Sequence, residues 1–189
     1  ANVTFEGQIW HFALRPFDGE DMGSEYVSPN VTVGNSAPEV SGAVSVLPEE
    51  PTRLDNLTVN YEYFDRDGDA ENGTRYEWYV DRGDGAGYVF AGITDDTVLS
   101  NYLVKGESWR CQVTPFDGED FGSATLSAED VEVKNTPPSA VELSITPSEP
   151  RKGMPLEANY TYFDVDGDAE NGTLIKWYRN GAELHQFEN

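Results

Sequence analysis

The sequence predicts an all-β protein built from β-sandwich repeats, and three observations support this prediction. Apolar and polar side chains alternate along several short segments, and glycines and prolines interrupt the chain roughly every eight to twelve residues. A unit of about a hundred residues also recurs. No segment has a convincing amphipathic helical pattern. Short strands at this spacing, in units of this length, are typical of a β-sandwich.

Four segments show the period-2 alternation of a half-buried strand. In chain order, their apolar rows are Trp10, Phe12 and Leu14; Leu57, Val59, Tyr61 and Tyr63; Tyr76, Trp78 and Val80; and Trp109, Cys111 and Val113. Near the end of the sequence, Asn180-Gly181 is a typical hairpin turn. We therefore expect strands at these positions, each with one face directed into a core.

The repeat is clearest in two acidic loops. FDRDGDAENGT at 64–74 returns as FDVDGDAENGT at 163–173, and PFDGEDMGS at 16–24 returns as PFDGEDFGS at 115–123, both at a spacing of 99. The linker-like stretches VGNSAP (33–38) and VKNTPP (133–138) match at an offset of 100. This period has the size of a domain.

The repeat divides the chain into one complete and two partial units. Residues 35–134 form a complete domain, 1–34 hold only the C-terminal strands of a domain, and 135–189 hold only the N-terminal strands. Two interpretations are open. The chain is an excerpt from a longer array, or residues 135–189 are completed by residues 1–34 of a neighbouring subunit. We favour the second, because a half-sandwich exposes an apolar face and unpaired strand edges.

The pattern resembles a known architecture. A Trp on the third strand of each copy (Trp78 and Trp177), Cys111 on the sixth strand and the two acidic loops resemble tandem immunoglobulin-like repeats, of the PKD-like or cadherin-like kind, in prokaryotic extracellular surface proteins. Val59 or Tyr61 stands where antibody-type domains have their second-strand cysteine. The resemblance implies immunoglobulin-like sandwiches whose B–C loop (64–74) and F–G loop (115–123) lie at the same pole.

Composition restricts the partners. The net charge of −23, from 35 acidic against 12 basic residues, disfavours nucleic acid and anionic membranes and favours divalent cations. No apolar run is long enough for membrane insertion. The one cysteine excludes an intrachain disulfide. An extracellular glycoprotein is indicated by six N-x-[ST] sequons, at Asn2, Asn30, Asn56, Asn72, Asn159 and Asn171.

The acidic loops predict calcium sites. Many carboxylates at one pole need a counter-charge, and Ca²⁺ takes six to eight oxygen ligands. In the complete domain the expected ligands are Asp65, Asp67, Asp69, Glu71, Asp117, Glu119 and Asp120. In the split domain they are Asp164, Asp166, Asp168 and Glu170, joined by Asp18, Glu20 and Asp21 of a neighbouring subunit. The flanking strands exclude an EF-hand, and a solvated acidic turn is the alternative.

These features favour a structural role over catalysis. Exposed acidic pairs duplicated with the repeat do not resemble the differently tuned carboxylates of a glycosidase. We expect an extracellular filament or surface-array subunit, a head-to-tail homopolymer formed by β-strand complementation. The alternative is an excerpt of a long calcium-dependent adhesin or carbohydrate-binding surface protein, in which Tyr79, Tyr88 or Tyr178 would stack on surface glycans.

Overall fold

The computed structural model describes residues 4–184, so Asn2 lies outside the described residues. The chain divides between Val133 and Lys134 into two compact units. The described fold is all-β, as predicted, and its helical content is a single 3₁₀ turn at Ser100–Tyr102. Among these residues no helix has the length and hydrophobicity needed to cross a membrane.

The first unit contains twelve strands. Four short ones come first: β1 (Ile9–Trp10), β2 (Ala13–Leu14), β3 (Tyr26–Val27) and β4 (Val31–Thr32). They are followed by β5 (Glu39–Leu47), β6 (Leu57–Phe64), β7 (Arg75–Asp81), β8 (Val89–Phe90), β9 (Thr97–Val98), β10 (Ser108–Thr114), β11 (Thr125–Leu126) and β12 (Val131–Glu132).

Strands β5–β12 form two sheets around one core. One sheet has the order β5-β6-β9, and the other has the order β11-β10-β7-β8, with β12 also paired to β10. Alternation along the strands directs one row of each sheet inwards. The buried cluster that joins them is Val44, Val46, Leu57, Trp78, Val80, Val98, Leu103, Trp109, Cys111, Val113, Val131 and Val133. This arrangement is consistent with the predicted β-sandwich.

Strands β1–β4 reproduce part of that sandwich. β1 pairs with β4 and β2 with β3, in antiparallel ladders. In the complete repeat, β10 pairs in the same way with β12 and β11. The connecting hydrogen bonds also match: Gly7 N–H donates to the Val33 carbonyl as Gly106 N–H donates to the Val133 carbonyl. Residues 7–33 therefore fold like residues 106–133.

The second unit repeats the opening strands of the sandwich. It contains β13 (Ser139–Thr146), β14 (Glu157–Phe163), β15 (Tyr178–Arg179) and β16 (Ala182–Glu183). β13 pairs with β14 as β5 pairs with β6, including a register irregularity at the same place in the ladder. β15 and β16 form the hairpin around Asn180-Gly181, where both residues have positive φ.

Candidate functional site

The loop between β6 and β7 is built around one buried carboxylate. Asp65 is 9% exposed, and its Oδ1 accepts hydrogen bonds from the N–H groups of Asp67 (2.7 Å), Gly68 (2.9 Å) and Asp69 (3.2 Å). Gly68 supplies the positive φ of 92° that folds the backbone around this oxygen. The other oxygen, Oδ2, is buried and has no hydrogen-bond partner among the described residues. Such an orphaned buried acceptor is rare in folded proteins.

The second copy has the same loop. Asp164 Oδ1 accepts from the N–H groups of Asp166 (2.8 Å) and Asp168 (3.2 Å). Asp166 Oδ2 accepts from Thr136 N–H at 2.6 Å, while its Oδ1 is buried without a partner in the part of the chain that is described. The two loops thus share the hydrogen bonds from the N–H groups two and four residues after the first aspartate to its Oδ1, whereas Gly167 N–H donates to the Asp164 carbonyl.

The loop after β10 carries a second carboxylate turn. Asp117 Oδ1 accepts from the N–H groups of Glu119 and Asp120, each at 2.7 Å. The linker residue Asn35 donates from Nδ2 to Asp117 Oδ2 (2.9 Å) and Asp120 Oδ2 (3.1 Å). This amide donor, more than any other group, lowers the pKa of Asp117. The linker is therefore fastened to the acidic pole.

The two acidic loops of the complete repeat lie side by side, as the resemblance implied. Asn72 N–H donates to the Phe116 carbonyl at 2.8 Å, and Phe116 N–H donates to Thr74 Oγ1 at 3.3 Å. Ser36 N–H donates to Asp67 Oδ2 at 2.7 Å. Linker, first loop and second loop consequently meet at one end of the sandwich.

Among the described residues, two groups of carboxylates, one in each unit, are close enough to hold a metal ion. Glu6, Asp67 and Asp69 each offer one oxygen within 4.8 Å of the others, and so do Asp164, Asp166 and Asp168 in the second unit. Desolvation raises the pKa of Glu6, and the negative charges of Asp69, Glu119, Asp67 and Asp117 add to that effect. Glu6 thus lies within the negative field of both loops.

Glu6 was missed by the sequence analysis. The residue one repeat later is Lys105, so Glu6 is not among the acidic positions that the copies share. Only the folding of residues 4–33 beside the complete repeat brings Glu6 to Asp67 and Asp69.

The two glutamates predicted as ligands in the loops at 64–74 and 163–173 form hydrogen bonds within their own units. Glu71 Oε1 accepts hydrogen bonds from the Tyr61 and Thr74 hydroxyls, and Glu170 Oε1 accepts from the corresponding Tyr160 and Thr173 hydroxyls. The Thr173 hydroxyl first, and then Tyr160, lowers the pKa of Glu170. Neither glutamate belongs to the two carboxylate groups described above. Each one instead links its loop to a tyrosine of the preceding strand through the hydrogen bond to Tyr61 or Tyr160.

The remaining predicted ligands lie in the F–G-type turns. Glu119 is exposed, whereas Asp120 bonds to Asn35. In the first partial unit, Asp18 Oδ1 accepts from the N–H groups of Glu20 (2.9 Å) and Asp21 (2.8 Å), and these bonds lower the pKa of Asp18. This turn has the same form as the one at Asp117.

The chemistry of the pole suits a hard cation. Every donor in the two carboxylate groups is an oxygen, and Mg²⁺, Ca²⁺ and Mn²⁺ prefer such ligands. Asp65 Oδ2 and Asn35 Oδ1 are two further buried oxygens without partners among the described residues. The pole can therefore hold a metal ion.

A second functional feature is the apolar surface left open in both partial units. Trp10, Phe12 and Leu14 are 39%, 62% and 47% exposed, and their counterparts Trp109, Cys111 and Val113 are at most 2% exposed. The contrast arises because β10 pairs with β7 and packs on β5. Among the described residues, β1 and β2 have no neighbours in the corresponding places.

The second unit shows the complementary half. Leu143, Ile145 and Leu156 are 74%, 54% and 45% exposed, whereas their counterparts Val44, Val46 and Leu57 are buried. Leu143 and Ile145, together with Trp177, border an open groove of about 660 Å³, whose other lining residues include Ala140, Ala158 and Ile175. Apolar patches of this kind on a protein surface mark interaction sites.

The five sequon asparagines in the described residues, Asn30, Asn56, Asn72, Asn159 and Asn171, are all exposed. Asn56 Oδ1 accepts from Ser100 N–H at 2.8 Å, and Asn159 Nδ2 donates to Thr146 Oγ1 at 2.9 Å. A glycan would replace one Nδ2 hydrogen, so the Asn159 bond restricts it more than the Asn56 bond does.

Two of the aromatic side chains proposed for glycan stacking, Tyr79 and Tyr88, contact neighbouring side chains. Tyr79 and Phe90 meet edge to face, with ring centroids 6.0 Å apart. The Tyr88 ring is covered by the Arg110 guanidinium at 3.7 Å, and its hydroxyl bonds to Asp130. These contacts hold the aromatic side chains in the outer face of the sheet.

No protein-family model and no curated protein sequence matches this chain. The acidic pole and the open apolar faces are the two features of the described residues that bear on its function.

Proposed function

We propose that this protein is an extracellular, non-enzymatic structural subunit of immunoglobulin-like repeats that assembles head to tail, each copy completing a sandwich with its neighbour. One observation carries the proposal: residues 7–33 and 134–184 fold like the two complementary parts of the complete repeat, yet their core-facing side chains are exposed. Joining them would bury those side chains and favour association through the hydrophobic effect.

The backbone supports the same assembly. In the complete repeat, β7 and β10 pair over seven residues, from Ser108 opposite Asp81 to Thr114 opposite Arg75. Among the described residues, neither β1–β2 nor β15 has a partner of that kind. The addition of a strand from a neighbouring copy would give the unpaired backbone N–H and C=O groups along these edges their hydrogen-bond partners. Because the joined surfaces differ, the contact is heterologous and repeats into a filament or closes into a ring.

The assembly is tested by refolding the full chain and measuring its size against concentration by sedimentation velocity, with electron microscopy of the products. We expect oligomers that grow with concentration and appear as filaments or rings. A monomer over the whole concentration range would refute the proposed function.

We further infer that the cation of the acidic pole is Ca²⁺. The support is the set of hard oxygen donors at Glu6, Asp67 and Asp69, and the unpartnered buried oxygen of Asp65, which belongs to the same loop as Asp67 and Asp69. Flexible loops rich in carboxylates accommodate the larger Ca²⁺ more readily than the strict octahedron of Mg²⁺. In the split sandwich, the turn at Asp18 of a neighbouring copy would join Asp164, Asp166 and Asp168.

Calcium binding is tested by isothermal titration of the full chain with CaCl₂ and MgCl₂ after EDTA treatment. We expect heat of binding for Ca²⁺ that Asp67→Asn reduces. The matched control is Asp84→Asn, since Asp84 also caps its own loop, accepting from Ala86 N–H at 2.9 Å, outside either carboxylate group. Equal loss in both variants would contradict the assignment of the site.

A further inference from the structure

We propose that residues 8–33 of a second copy occupy the open face of residues 134–184 in one fixed register, in which Phe12 lies opposite Trp177 and Gly23 packs against the Pro138 carbonyl. The inference rests on the proposed head-to-tail assembly and specifies its partner segment and alignment. It makes the groove beside Trp177 a site for one particular sequence.

The register follows from the complete repeat. There Cys111 lies opposite Trp78 and Gln112 opposite Glu77 in the β10–β7 ladder. Phe12 and Ala13 take the places of Cys111 and Gln112 at the repeat spacing of 99, and Trp177 and Lys176 take the places of Trp78 and Glu77. Phe12 opposite Trp177 therefore implies Ala13 opposite Lys176. A slip of one residue would turn the apolar row of 10–14 away from the groove.

The side-chain volumes of the incoming segment and of the groove change in opposite directions relative to the complete repeat. The incoming segment is larger than its template, with Phe12 in the place of Cys111. The side chains that line the groove are smaller than their counterparts, with Ala140 and Ala158 in the places of Val40 and Val59, both of which pack on the core of the complete repeat. The groove therefore has more room for the larger Phe12.

The next pair along the ladder shows the same compensation. Val113 lies opposite Tyr76 in the complete repeat, and the aligned pair is Leu14 opposite Ile175. A small and a large partner are replaced by two of intermediate size, so the layer keeps a similar volume. Close packing makes such matched changes favourable and mismatched ones costly. Residues 8–33 thus fit the open groove better than they would fit the place of β10.

A glycine supplies the second point of alignment. At Gly122 of the complete repeat, an added Cβ would lie 1.9 Å from the Pro38 carbonyl oxygen, so the loop after β10 touches the start of β5. At its counterpart Gly23, the three atoms nearest to an added Cβ all belong to Pro16 of the same loop. In the proposed register, Gly23 of the second copy meets the Pro138 carbonyl of the first copy.

Disulfide trapping between two differently labelled full-length chains tests the register. One chain carries Ala13→Cys and the other Lys176→Cys, so any bridge between them joins two molecules. Residues directly opposite across antiparallel strands are close enough for a disulfide, and diagonal neighbours are at the limit. We expect rapid cross-linking of this pair. Cys111 stays in place, because burial raises its pKa to about 12 and keeps its thiol unreactive.

A chain with Tyr178→Cys in place of Lys176→Cys is the register control, since residue 178 lies two positions along the same face. We expect its cross-linking to Ala13→Cys to be about tenfold slower. Equal or faster cross-linking through residue 178 would overturn the register and leave the assembly intact. Absence of any association by the wild-type chain in sedimentation would instead refute the proposed function itself.

The glycine contact is tested separately. We expect Gly23→Ala to weaken association by about tenfold or more, because a methyl group in so tight a contact forces the strands apart. Gly34→Ala is the matched control: nothing lies within 4 Å of its added Cβ, and the other copy has Lys134 at that position. Circular dichroism of both variants verifies their fold. Undiminished association of a folded Gly23→Ala chain would refute this contact.

Discussion

Replacing Trp10 by alanine gives a quantitative test of the open face. Trp10 is 39% exposed, whereas its counterpart Trp109 is 2% exposed. A Trp side chain carries up to about 250 Å² of surface, so assembly would remove about 100 Å² more from water. At about 25 cal/mol per Å², this burial contributes about 2.5 kcal/mol to each contact between copies. We therefore expect Trp10→Ala to weaken association about sixty-fold.

Sedimentation velocity over a concentration series measures this change, and urea unfolding followed by fluorescence measures the stability of the complete repeat. Trp109→Ala is the matched control. Because Trp109 lies in the core, its removal should lower the free energy of unfolding by about 3–5 kcal/mol. Trp10→Ala should leave the unfolding of the complete repeat nearly unchanged. An association constant for Trp10→Ala equal to that of the wild type would refute the reasoning.

Three further predictions concern the complete repeat. Ca²⁺ at a hundred times its Kd should stabilise the chain by about 2.7 kcal/mol in thermal unfolding, and Asp67→Asn should reduce this gain. Gly122→Ala should destabilise the repeat by about 3 kcal/mol in urea, because the added methyl group would overlap the Pro38 carbonyl. Asn35→Ala in EDTA should be less stable than the wild type near neutral pH, and the difference should shrink on acidification, as urea titrations would show.

The sign of the pH effect follows from Asp117. The Asn35 amide lowers the folded-state pKa of Asp117, so the ionised carboxylate stabilises the fold above its unfolded pKa of about 3.9. That stabilisation is lost as the pH falls through the folded-state pKa. A difference between Asn35→Ala and wild type that stays constant with pH would contradict this coupling.

The other two predictions have their own contrary results. Calcium that stabilises Asp67→Asn as much as the wild type would contradict the first, and a Gly122→Ala chain as stable as the wild type would contradict the second.

The strands were predictable because their signal is local. Alternation in 57–63 and 109–113 fixes which side chains face inwards, and β6 and β10 occupy those segments. The resemblance of 7–33 to 106–133 was likewise visible in the repeat and recurs as matching ladders. Both conclusions need only the spacing of apolar residues and turns.

The acidic pole was predictable only in part. The loop sequence around Asp65 dictates a local turn, so the convergence of the carboxylates within that loop could be anticipated. The position of Glu6 could not, because it depends on how a distant segment folds beside the loop. Nor could the sequence tell that Glu71 turns towards Tyr61, since either orientation suits an exposed glutamate.

The sequence by itself determined the all-β fold, the repeat, the excess of acidic side chains and the identity of the strands, because alternation and turn chemistry act over a few residues. Only the tertiary structure decided which carboxylates converge and which apolar rows remain exposed. Convergence and burial depend on contacts between segments far apart in the chain. Trp10 and Trp109 lie in the same local pattern, and it is the presence or absence of β7 beside them that leaves one exposed and the other in the core.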